Sequence, residues 1–256
     1  MIGLGSLSLP PDVEIFVIGA VAILTRLSMM FAFLPGIGEL AIPIRVRLGL
    51  VLAVSAALIP SVLPGQLAIL TTNDPLVLIG FEAMIGFALG FGFRVLIFAL
   101  TIAGTIISQS ISLSQIFGAV TTTEPSPTIS TLLMMTGAAL FVTLDLHTYS
   151  VGLLMESYQL FPLGELPDTG ALAGWAQERV SGSFALAISL SLPFILVSFL
   201  YNVVLGLINQ AMPQMMVTFV GVPANVLAGL VILGIAFAAI MMAWVAQVDT
   251  GFAGFW

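Results

Sequence analysis

The chain has 256 residues, of which 60% are hydrophobic and only 7% charged, and its mean hydropathy is +1.22. A soluble domain carries about 25% charged and roughly 45–50% apolar residues, so this composition excludes a water-soluble globule and makes lipid the solvent. The formal net charge is -7, and the positive residues are five scattered arginines, Arg26, Arg45, Arg47, Arg94 and Arg179. Phosphate neutralisation needs clustered basic residues, so no nucleic-acid partner is expected. With no cysteine in the chain, disulfides, thiolate metal sites and a cysteine nucleophile are excluded.

A bilayer span needs about 20 mostly apolar residues. No charged n-region precedes the first apolar run, so no cleaved signal peptide is expected and the first helix belongs to the mature protein. That helix is predicted over Val13–Leu34, after Pro10-Pro11 and with Asp12 placed to cap it, and it stops at Pro35-Gly36. A second follows a short turn, from Ile44 to about Leu63, and closes at Pro64-Gly65. The polar Thr71–Pro75 stretch leads into a third, Leu76 to about Ile107, whose length requires tilt, a kink or protrusion beyond the hydrocarbon. Residues 108–130 are rich in small polar groups, carry only Glu124 as a charge and lack a clean helical period. A fourth helix is predicted from Ile129 to Met155. The main solvated loop, 159–178, holds Glu165, Asp168 and Glu178. A fifth segment spans Val180 to Leu207 around Pro193, residues 208–225 interrupt it, and the last helix runs from Val226 to Val245. The fold class is therefore all-α: a polytopic membrane protein of roughly six hydrophobic, partly broken helices. Arg45 and Arg47 suggest a cytoplasmic first turn and the acidic 165–178 loop the opposite side; five arginines leave the topology open.

Ionisable groups inside apolar segments are costly and need an explanation. Arg26 lies within the first helix, and Glu82 and Arg94 within the third. Glu82, Gly86, Gly90 and Arg94 succeed one another every fourth residue, a stripe that drifts about 40° per step and in which the two glycines permit close backbone approach. This stripe suits an assembly surface with its charges paired against neighbouring helices or subunits; a proton or ion pathway through Glu82 is the competing reading. His147 is the single histidine, Asp145 sits on nearly the opposite side of its helix, and neither HExxH nor GxSxG occurs. No enzyme activity, metal or cofactor is expected. Ser191, Ser198, Asn202 and Asn209 fall within about 40° of one helical face, which suits either interhelical hydrogen bonds or a watery conduit. The 108–130 stretch is either an external loop or a constriction, wetted by its small polar groups and closed by Ile111, Leu113, Ile116 and Phe117.

The block Asn209-Gln210-Ala211-Met212-Pro213-Gln214-Met215-Met216-Val217-Thr218-Phe219-Val220-Gly221-Val222-Pro223 resembles the N-x-A-M-P-Q-x-x-V-x-F-V-G-x-P segment of the FliR family. Arg26, Pro35-Gly36, Ile42-Pro43 with Arg45–Leu50, and Glu82 before a glycine-rich run follow the family's order and spacing. The flagellar branch fits better than the injectisome relatives, which vary the methionine and the Gly-x-Pro end. Gln210 departs from the family, in which many members carry a basic residue, and this puts one partner contact in doubt.

The resemblance implies a non-enzymatic structural subunit of the flagellar type III protein export gate. Its implied partners are FliP-like, FliQ-like and FlhB-like subunits and unfolded flagellar export substrates, and its implied place is the inner membrane, in the basal body. Residues 1–179 would be a FliP-like part and 180–256 a FliQ-like helical hairpin. A channel-closing loop near 108–123 would include Gln109, Ser112, Leu113, Gln115, Ile116 and Phe117. Arg26, Glu82, Arg94, Asn202, Asn209, Gln210, Pro213 and Gln214 would serve assembly as buried polar groups. A small-solute or ion channel or secondary transporter remains the alternative, although matched interruptions in two halves do not align here.

Overall fold

The computed structural model describes residues 10–38, 42–66, 74–111, 128–212 and 217–253. Among them are seven α-helices and no strand: α1 (Pro11–Phe33), α2 (Ile44–Val62), α3 (Pro75–Ser110), α4 (Thr128–Thr143), α5 (Leu146–Leu160), α6 (Thr169–Ala211) and α7 (Val217–Ala253). Five are long and apolar enough to cross a membrane, and α4 with α5 supplies a sixth if that bent pair is one span. The all-α polytopic expectation holds.

Local chemistry explains most of the boundaries. The carboxylate of Asp74 accepts the Leu76 N–H at 3.0 Å and that of Asp168 accepts the Gly170 N–H at 2.9 Å, so each satisfies an orphan donor in the first turn of its helix. The cap of α1 is Pro10, not Asp12, and makes no side-chain bond. Beyond α1, Gly36 takes φ 79° and Gly38 donates to the Leu34 carbonyl at 2.7 Å. The backbone there fits no other residue, since a Cβ at Gly38 would lie 2.5 Å from the Ala32 oxygen.

Three expectations shift. The single fourth helix is two, broken at Asp145, which adopts the left-handed conformation at φ 55° and heads α5. The 159–178 loop is shorter, because α6 already begins at Thr169. The last two helices extend past their expected limits, α6 to Ala211 and α7 from Val217, so that Pro223 lies inside α7 as Pro193, expectedly, lies inside α6. Each proline forfeits one ladder bond without ending a helix whose flanks are helix-competent, a behaviour familiar in membrane spans.

The chain divides into two compact units. The first takes its described residues from positions 1–94 and 141–177, the second from 95–140 and 178–256. In the first, α1 packs on the N-terminal part of α3 around Ile23, Leu27, Met30, Ile85 and Leu89, and α5 contributes Leu153, Leu154 and Tyr158. Phe93 and Phe141 meet edge to face with centroids 5.8 Å apart. In the second, the rest of α3 packs with α4, α6 and α7 around Ile97, Leu100, Leu133, Phe194, Leu233 and Trp244. Small residues set the spacing: a Cβ at Gly104 would stand 2.4 Å from Ser130 Cα, and the Ser130 hydroxyl donates to the Thr101 carbonyl at 2.9 Å.

Candidate functional site: a buried charge cluster and a polar hairpin

In the first unit, the stripe on α3 lies directly against α1. A Cβ at Gly86 would stand 2.2 Å from the Arg26 carbonyl oxygen, and one at Gly90 would stand 2.7 Å from that of Met30. Only glycine lets the two backbones approach this closely. The approach brings Arg26 and Glu82, both wholly inaccessible, into a forked pair. Nε donates to Oε2 at 2.6 Å and Nη2 to Oε1 at 3.0 Å. Nη1 donates to the Ser157 hydroxyl at 3.0 Å, Nη2 also to the Phe161 carbonyl at 3.0 Å, and Arg26 Cζ sits 4.0 Å from the centre of the Tyr158 ring. Glu82 Oε1 receives a further donor, the Gly164 N–H at 3.2 Å. Gly164 presents that N–H from a left-handed conformation, φ 83°.

An isolated buried charge is prohibitive, and a pair is tolerated when geometry and extra hydrogen bonds offset desolvation. Here the guanidinium has a partner on each of its three nitrogens and on one face. The arrangement ties α1, α3, α5 and the 161–164 turn together. Both charges are matched inside the chain, Arg26 by Glu82 and Glu82 by Arg26 and the Gly164 N–H. Among the described residues, no group of three or more His, Cys, Asp or Glu could hold a metal ion.

Sequence reasoning singled out Arg26 and Glu82 as charges needing partners but did not pair them with each other. It also missed Ser157, Tyr158, the Phe161 carbonyl and Gly164. The available signal was two opposite charges in apolar helices, each next to a place where backbones can close. Arg94, three turns beyond Glu82, is half-buried. Ser157 and Tyr158 lie in a helix that also carries Glu156 and Gln159, so nothing local marks them.

In the second unit, α6 and α7 form a hairpin. The Tyr201 hydroxyl donates to the Gly221 carbonyl at 2.6 Å across it. The hairpin also grips α3: Ser183 donates to the Val95 carbonyl and Trp244 Nε1 to the Leu96 carbonyl, each at 2.8 Å. The polar face of α6 splits in two. Ser191 and Ser198 are buried, whereas Asn202 and Asn209 are exposed, as is Gln210 off that face. Ser191 donates back to the Ala187 carbonyl at 2.9 Å, and the Asn202 amide donates to the Ser198 carbonyl at 2.8 Å; of this face, Ser198 makes a bond to another helix. Gln109 is exposed on the last turn of α3. Ser112, Leu113, Gln115, Ile116, Phe117, Pro213 and Gln214 lie outside the described residues.

Residues 17–251 match the family described as bacterial export proteins, family 1. The chain is 33% identical to the flagellar biosynthetic protein FliR of Caulobacter vibrioides, over 88% of this chain and 90% of that protein. Its identity to the protein of the same name from Escherichia coli K12 is 28%, over 81% of this chain and 79% of that one. The Bacillus subtilis protein of that name is 23% identical, over 85% of each. A match of this extent, on a chain with five to six helices able to span a membrane, makes this protein a member of bacterial export protein family 1, the family of the FliR proteins, and a membrane component of the flagellar export apparatus.

Proposed function

We propose that the chain is a structural, non-catalytic subunit of the flagellar type III protein export gate in the inner membrane. With FliP-like and FliQ-like subunits, and an FlhB-like subunit alongside, it forms the channel through which unfolded flagellar proteins cross. The observation that carries this reading is the family match over residues 17–251. The spans themselves support it: in their most apolar windows α2 and α7 bury only 28% of their residues within the chain. Phe199, Leu200, Val203 and Leu207 on α6 stay exposed, leaving broad surfaces for lipid or neighbouring subunits. The committed state of Glu82 disfavours a solute transporter that needs a free carboxylate at depth.

In this reading residues 1–179 are the FliP-like part and 180–256 the FliQ-like hairpin. The stretch around 108–123 seals the channel until export begins, on the strength of its uncharged mix of small polar and bulky apolar residues. Arg26 and Glu82 hold the subunit's own helices in place, while the exposed Asn202, Asn209 and Gln210, with Pro213 and Gln214, serve contacts to partners. The test is affinity purification of the tagged protein from gently solubilised native membranes, with mass spectrometry of what accompanies it. Two small hydrophobic partners in fixed excess, with motility lost on deletion of the gene, is the expected result. A lone or homo-oligomeric protein in motile deletion cells would overturn the proposal.

A further inference from the structure

Two donors from two different helices converge on one main-chain oxygen. The Ser198 hydroxyl of α6 and the Asn225 amide of α7, the latter at 3.4 Å, both donate to the carbonyl of Ser110, the last residue of α3. Both side chains are buried, 6% and 5% exposed. The last four carbonyls of a helix lack partners within it, and an orphan carbonyl out of water is costly. One residue further, Ile111 is buried against Gly229, where a Cβ would stand 2.2 Å from Ile111 Cγ2. Phe194, Val197 and Ile232 line the same crevice. The sequence of α3 supplies no stop of its own, because neither Gly nor Pro stands between Gly104 and Gly118.

We propose that Ser198 and Asn225 are positioning residues: the α6–α7 hairpin fixes where α3 ends, and so the point from which the chain beyond residue 111 departs. The functional consequence rests on the export-gate reading above, in which that departing stretch is the channel seal. A tilted or lengthened end of α3 would misplace it.

The chain has no cysteine, so Ile111→Cys with Gly229→Cys gives a unique pair. The Cβ atoms would lie 2.7 Å apart on the present backbone, about 1 Å short of the separation a disulfide spans; loss of the isoleucine Cγ2 removes the tighter contact, and closure needs the two backbones to part by about that remaining distance. In gates purified with their partners, mild oxidation is expected to close this pair and protect both thiols from a mass-tagging maleimide. Adding Ser198→Ala and Asn225→Leu should slow closure by about three-fold or more, the factor an interhelical polar contact is worth. The same double substitution in the cysteine-free protein should raise proton leak through vesicles holding equal amounts of gate. Ser198→Thr, which keeps the hydroxyl, should behave like the parent. If the double variant fails to assemble, Ser198→Ala and Asn225→Leu singly, each leaving one donor on Ser110, carry the same comparison. Equal closure rates in both backgrounds, or no closure in either, would overturn the clamp. Slowed closure without leak, in a gate that deletion of Ser112–Phe117 makes leaky, would overturn the positioning role and leave the export reading intact. Slowed closure in a gate that this deletion leaves tight would support the clamp and remove the seal.

Discussion

Arg26 on α1 and Glu82 on α3 meet through two parallel N–H···O bonds, 2.6 and 3.0 Å long, with neither side chain reachable by solvent. Removing one member of such a pair strands the other charge, at about 3–5 kcal/mol, whereas replacing both with apolar groups of similar volume is often neutral. Arg26→Ala or Glu82→Ala should therefore lower the stability of the purified complex by about that amount. Arg26→Met with Glu82→Leu should cost less than either single change, leaving only the unmet Phe161 carbonyl and Gly164 N–H. Thermal unfolding in detergent measures all three variants, and additive losses in the double variant would show that the two charges are not coupled.

The fit between α1 and α3 makes a sharper steric prediction. Gly86→Ala would put a Cβ 2.2 Å from a main-chain oxygen that cannot swing aside, and Gly90→Ala is nearly as tight at 2.7 Å. Overpacking of this kind costs about 1–3 kcal/mol. Gly80 on the same helix, and Gly152 and Gly182 elsewhere, face open space; alanine there should be neutral or gain up to about 1 kcal/mol through helix propensity. Subunit abundance in membranes, alongside melting of the complex, should separate the two groups. Equal behaviour of Gly80→Ala and Gly86→Ala would deny the close α1–α3 contact.

The break at Asp145 is open to the same treatment. An L-residue in the left-handed region carries a cost of about 1–2 kcal/mol, which Asp and Asn bear best among side chains and glycine escapes. The Asp145 side chain is exposed and makes no cap bond, while its carbonyl accepts the N–H groups of Thr148 and Tyr149 at 3.0 and 3.1 Å. Asp145→Gly should leave stability unchanged or raised, and Asp145→Val should lower it by about 1–2 kcal/mol, read in the same melting assay. A stabilising valine would mean that α4 and α5 join as one helix.

Much of this architecture was legible in the sequence because lipid simplifies the problem. Runs of about 20 apolar residues must be helices, so α1, α2 and α3 end within a few residues of their expected limits. The misses have specific causes. Leu144-Asp145 contains neither Gly nor Pro, so the left-handed turn left no mark. Residues 169–178 are polar enough to read as loop, but Asp168 caps a helix there. The Arg26–Glu82 pair spans 56 positions, and periodicity within a helix cannot say which helix faces which. Once two glycines four apart sit beside one charge and an opposite charge lies in another span, the pairing becomes a reasonable inference, but the Ser157, Phe161 and Gly164 contacts need coordinates.

Tyr158 separates packing from polarity within the same cluster. Its ring lies 4.0 Å from Arg26 Cζ, and its buried hydroxyl has no hydrogen-bond partner among the described residues. The ring attracts the guanidinium by about 2 kcal/mol when both are desolvated, whereas an unmet buried hydroxyl costs about 1–3 kcal/mol. Tyr158→Phe keeps the first contribution and removes the second, so the complex should melt at the same temperature or higher. Tyr158→Leu forfeits the aromatic face and leaves a void, and should lose about 2–4 kcal/mol. A phenylalanine variant that melts normally but no longer supports motility would assign the hydroxyl to a neighbouring subunit, since no group within the described chain would then account for its need. A phenylalanine variant that melts lower would instead mean that the hydroxyl is satisfied inside the chain.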